Sequence, residues 1–95
     1  IRAHRLRHEI IATKVANRLV NRLGPGVAFD MTEEEGASLR QVVSAFLVAE
    51  LLLDLDKLWE EIETAQLPET VRIELFSIAA SIAPEYEARR FDLVP

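Results

Sequence analysis

From Ala3 to Leu23 apolar residues recur at the three- and four-residue intervals of an α-helix. At ~100° per residue, Leu6, Ala12, Val15, Ala16, Leu19, Val20 and Leu23 share one broad arc, with Arg7, Lys14, Arg18 and Arg22 opposite. Gly24 and Pro25 then end the pattern, since glycine accepts the left-handed cap and proline cannot continue the helix. The stretch "GPGVAFDM" reads as a loop that returns Val27 and Phe29 to the core.

Beyond the loop, Asp30 or Thr32 is placed to cap a short helix whose Glu33, Glu34 and Glu35 suit its positive end. Gly36 is expected to stop it. Ser38 then opens a second helix, with Gln41 three residues on as in a capping box, running to about Leu53. This helix is apolar nearly all round, which predicts the most buried element. Asp54 or Asp56 caps "LDKLWEEIETAQ", with Leu55, Leu58, Trp59 and Ile62 inward and Glu60, Glu61 and Glu63 in solvent. Pro68 fits a first helical turn. Val71, Leu75, Phe76, Ile78, Ala79 and Ile82 follow on a wide apolar face, and Pro84 is expected to kink or end that helix. "PEYEARR" reads as one more helical piece and "FDLVP" as a tail. With no strand pattern, no repeat and short connections, the expected fold is all-α. It is an antiparallel bundle of about four main helices in one domain over residues 1–95.

Composition narrows the class. The chain is 49% hydrophobic with three glycines and four prolines, which excludes a disordered or low-complexity segment. It has no cysteine, so disulfides and thiolate metal sites are excluded, and a reducing compartment, the cytoplasm, fits. The richest apolar run, Val42 to Leu55, is broken by Ser44, Glu50 and Asp54 and falls short of the ~20 residues a membrane-spanning helix needs. The chain opens on Ile1 rather than methionine, which predicts a piece of something longer.

The net charge of −5 conceals an asymmetry. Residues 1–23 carry six basic side chains against Glu9 alone, while the remainder holds five basic and fifteen acidic residues. A basic helix beside an acidic body can pair internally, so the basic stretch need not meet nucleic acid.

Candidate chemistry is sparse. His4 and His8 have the i, i+4 spacing of a metal-binding pair, but no third ligand adjoins them and Arg5 and Arg7 would repel a cation. "TEEEGASLRQVVSAF" has the outline of a helix-turn-helix, which makes a nucleic-acid-binding module the alternative reading. Its second helix is apolar after Gln41, however, and Glu33, Glu34 and Glu35 would repel phosphates. Glycines at 24, 26 and 36 form no phosphate-binding loop, and none of Ser38, Ser44, Ser77 and Ser81 sits in a nucleophile elbow. No catalytic, cofactor-binding or metal-binding residue is assigned.

The first helix carries more grease than one arc. Ile10 and Ile11 lie outside the main arc, Ile11 among the arginines, and Asn17 and Asn21 flank it. A second apolar side predicts a surface covered by another domain or subunit. The expected interface is Ile10, Ile11, Asn17, Asn21, Arg18 and Arg22.

Three stretches, "HRLRHEIIATKVANRLVNR", "EEEGAS" and "LDLDKLWEEIE", resemble the C-terminal helical region of the large bacterial NAD-specific glutamate dehydrogenases. They span roughly the first two thirds of the chain, and the first, with its His-Arg-Leu-Arg opening and two asparagines, is the most specific. "LGPGVAFDM", "ETAQLPET" and "PEYEARRFDLVP" depart from the family pattern. The resemblance implies a parent enzyme that oxidises L-glutamate with NAD to 2-oxoglutarate, ammonium and NADH, its dinucleotide fold and catalytic lysine upstream. It implies a non-catalytic piece, inactive alone, that docks on catalytic domains of its own chain or a sister subunit. The isolated piece is then expected to self-associate, with no nucleic acid and no membrane as partner.

Overall fold

A computed structural model describes the backbone of residues 2–28 and 30–92 and the side chains of residues 6–27, 30–85, 87 and 88. Four helices follow in order: α1 (Arg2–Leu23), α2 (Glu33–Leu52), α3 (Asp56–Thr64) and α4 (Glu69–Asp92), with a 3₁₀ turn at Pro25–Ala28. There is no strand among the described residues. α1 packs against α2 and α4, and α3 packs against the same two, so the helices close a ring. Cross-links run from Arg7 to Glu50, from Arg22 to Glu74 and from Trp59 to Phe76, which sets sequential neighbours and the α1–α4 pair antiparallel. The all-α bundle expected from periodicity is what the chain adopts.

The core draws on every helix. Val15 and Leu19 of α1 meet Val42, Phe46 and Ala49 of α2, Leu58 and Ile62 of α3, and Val71, Leu75 and Ala79 of α4. Burying each such Leu or Ile contributes about 1.5–3 kcal/mol relative to exposure. Trp59 and Phe76 stack at the edge of this core, ring centroids 5.9 Å apart. Leu55, Leu58, Trp59 and Ile62 thus form the inner side of α3 as their spacing predicts, and Val27 packs on the core from the loop. Phe29, expected beside it, lies outside the described residues.

Two expectations are corrected. Gly36 does not end a helix: α2 runs unbroken from Glu33. The capping box sits earlier, where Thr32 Oγ1 accepts from the Glu35 N–H at 3.1 Å and Glu35 Oε1 accepts from the Thr32 N–H at 2.9 Å. Glycine inside a helix costs only ~1 kcal/mol relative to alanine, too little to interrupt one whose next turns bury Val42, Val43, Ala45 and Phe46. Without a turn at Gly36 the helix-turn-helix outline, and the nucleic-acid alternative built on it, lose their structural basis.

Pro84 does not end α4, which continues to Asp92 through the "PEYEARR" stretch. The hydrogen bond that proline denies is the one to Ala80, an exposed position where water can replace it, while Ala79 and Ile82 hold the helix on the core. α2 contributes the most buried side chains among the described residues, as its composition predicts, yet it is not enclosed on all sides. In a ring of four it has only two neighbours, so Val48, Leu51 and Leu52 remain exposed.

Two backbone positions make the sharp connections. Gly24 takes φ +97°, the left-handed cap of α1, and its N–H donates to the Val20 carbonyl at 2.8 Å. Leu53 takes φ 54° at the end of α2, unusual for a bulky residue, and is held there by its buried side chain. Asp54 Oδ1 then accepts from the Asp56 N–H at 3.0 Å and steers the chain into α3.

Candidate docking face on the first helix

α1 has an inner and an outer side, and their positions differ from the arc expected by periodicity. The inner side is Ile11, Ala12, Val15, Leu19 and Leu23, all buried or packed on the core. Leu6, Ala16 and Val20, expected to face inward, are exposed instead. Burial of Val15 and Leu19 sets this phase, and two ion pairs accompany it. Arg7 Nη1 donates to Glu50 Oε1 of α2 at 2.7 Å, and Arg22 Nε approaches Glu74 Oε2 of α4 at 3.5 Å. The basic edge of α1 therefore lies over its acidic neighbours, and the Ile11 side turns inward with it.

Ile11 was expected to await an external partner. It is half-buried by its own bundle, in a cleft of about 140 Å³ shared with Phe46, Ile78 and Ile82. Ile10, Asn17, Asn21 and Arg18 are exposed. Arg22 is exposed too, but its guanidinium is engaged with Glu74. The six residues expected to form one interface thus divide. Ile10 and Asn17 lie on the outer side of α1, with Asn21 and Arg18 towards the basic edge, whereas Ile11 packs half-buried against the core.

Leu6 and Val20 are the outer-face residues that sequence reasoning assigned inward. Leu6 is 58% exposed, Ile10 49% and Val20 37%, and with Thr13 and Asn17 they occupy one continuous row. The signal that could have found them was the 4-3-4-3 spacing of residues 6, 10, 13, 17 and 20. A row of large apolar side chains on the side of a helix away from its own core is what a docking surface requires.

Among the described residues, no group of three or more His, Asp or Glu side chains is placed to hold a metal ion. His8 Nε2 lies 3.4 Å from Ser44 Oγ, and no carboxylate hydrogen-bonds that imidazole among the described residues. His4 lies outside the described side chains. Lys57 pairs with Glu61 along α3 at 3.3 Å, an exposed i, i+4 contact.

The family model described as glutamate dehydrogenase, C-terminal, matches residues 1–83. The chain belongs to that family. The glutamate dehydrogenase C-terminal match thus extends beyond the first two thirds, across "LGPGVAFDM" and "ETAQLPET", and stops at the residue before Pro84. NAD-specific glutamate dehydrogenase of Halomonas elongata is 38% identical over 60 residues, covering 63% of this chain. The enzyme of the same name from Mycobacterium tuberculosis is 32% identical over 68 residues, 72% of the chain. That from Pseudomonas aeruginosa is 31% identical over 77 residues, 79% of the chain. The matched stretch spans only 4–5% of the length of these relatives. No solved structure matches. No helix among the described residues is long and apolar enough to cross a membrane.

Proposed function

We propose that this chain is the non-catalytic C-terminal helical domain of an NAD-dependent glutamate dehydrogenase. Its parent converts L-glutamate, NAD and water to 2-oxoglutarate, ammonium and NADH, in the cytoplasm. The relatives' names support that reading, as does the small share of their length that the chain represents. NAD is a substrate of the parent's upstream domains, and no residue here is assigned to it.

The role of the domain is docking or subunit assembly. The observation that carries it is the outer row of α1, where Leu6, Ile10 and Val20 remain exposed although the opposite side of the same helix is packed. Such a row costs solubility unless something covers it. In the full-length enzyme, Ile10→Glu with Val20→Glu is expected to lower the assembled fraction in sedimentation and to reduce glutamate-dependent NAD reduction. Unchanged assembly and unchanged activity would overturn the docking role. The domain alone is expected to reduce no NAD.

A further inference from the structure

We propose that the outer row of α1 pairs with the same row of a second copy of this chain, as a parallel, in-register two-stranded seam. The inference rests on the docking role above and names its partner.

Leu6, Ile10, Thr13, Asn17 and Val20 are separated by four, three, four and three residues. That is the alternation of the two core positions of a heptad, with Leu6, Thr13 and Val20 at d and Ile10 and Asn17 at a. All five are exposed. A straight helix drifts only ~20° per heptad from this repeat, so two heptads keep the row on one side.

Asn17 explains itself in this arrangement. At an a position its amide faces the amide of its counterpart, which satisfies both while specifying register and a two-stranded state. Against an apolar partner the same group would be buried unsatisfied, at a cost of ~1–3 kcal/mol.

The flanking charges choose the direction. Glu9 occupies a g position, and Arg7 and Lys14 occupy e positions. In a parallel pair each g residue meets the e residue five positions on in the partner, so Glu9 meets Lys14 twice by symmetry; the same rule sets Arg2 beside Arg7 at the start of the seam, where Arg7 is already paired with Glu50 of its own bundle. Both are exposed, and neither makes an ion pair among the described residues. An antiparallel pair would instead set the Arg7 and Lys14 edge along its own copy, like charge against like.

The four helices close their own core, so the chain can be tested as it stands. It lacks cysteine, and single-cysteine variants Leu6→Cys, Asn17→Cys and Val20→Cys therefore report proximity directly. Under mild oxidation, with helicity checked by circular dichroism, each is expected to form disulfide dimers at least about tenfold faster than Glu60→Cys on the exposed side of α3. Glu9→Lys should slow cross-linking at Asn17→Cys, and adding Lys14→Glu should restore it. An antiparallel pair sets a positions opposite d positions, so it would link Leu6→Cys to Asn17→Cys and neither to itself, which overturns the proposal. Rates at the Glu60→Cys level for all three would also overturn it. If Ile10→Glu with Val20→Glu still disrupted the full-length enzyme, the docking role would survive with a catalytic domain as partner. If that variant were also silent, both readings would fall.

Discussion

Arg7 of α1 donates to Glu50 of α2 at 2.7 Å across 43 positions of sequence. The contact joins the first turns of the basic helix to the last turns of an acidic partner. Arg22 does the same towards Glu74 at the other end of α1. Part of the excess positive charge that could suggest nucleic acid is spent inside the bundle.

The Arg7–Glu50 pair is exposed, so its energetic share is small. Arg7→Ala and Glu50→Ala in a double-mutant cycle should give a coupling of about 0.2–1 kcal/mol in urea denaturation. Molar salt should reduce that coupling, because screening acts on exposed charges. A salt-independent value of several kcal/mol would contradict the geometry.

Adjacent isoleucines on α1 should behave oppositely. Ile11→Ala removes a side chain packed on the core and should cost about 1–2 kcal/mol of stability. Ile10→Ser touches an exposed position and should stay within about 0.5 kcal/mol, while weakening association. Thermal denaturation of both variants, read beside their sedimentation, separates packing from docking.

Gly36 offers a test of helix continuity. Its backbone is helical, and a Cβ added there would meet only Arg40 Nη1, at 3.7 Å. Gly36→Ala should therefore stabilise the chain by about 0.5–1 kcal/mol. Gly24→Ala should destabilise by a similar amount or more, because φ +97° strains any residue with a Cβ even in open space. Equal effects of the two substitutions would mean that the helix boundary lies elsewhere.

The N-terminal cap of α2 and the centre of the core should differ in scale. Thr32→Ala removes one side of the capping box and should cost about 1 kcal/mol. Leu75→Ala empties a fully buried site and should cost about 2–5 kcal/mol. Chemical denaturation of the two variants checks the ratio.

Periodicity, capping residues and breakers made much of the architecture legible before any coordinates. Gly24 ends α1, Leu58 and Ile62 line α3, and Val71, Leu75 and Ala79 line α4, because local spacing alone places them on one side of a helix. Family membership was legible for a different reason. The particular polar residues of "HRLRHEIIATKVANRLVNR" carry information that an apolar repeat does not.

Tertiary packing decided the rest. Gly36 is a weak breaker whose cost is outweighed by the buried turns that follow it, and Pro84 comes after Ala79 and Ile82 have already fixed α4 on the core. The phase of α1 was undetermined for a related reason: a helix apolar on several sides has no single inward direction until its neighbours are placed. Packing of Val15 and Leu19 against the other helices left Ile11 half-buried and Leu6, Ile10 and Val20 outside. The sequence determined which residues form helices and which family they belong to. Only the fold decided which side of α1 remained free, because that depends on the apolar residues of α2, α3 and α4 that Val15 and Leu19 meet, all of them distant in the chain.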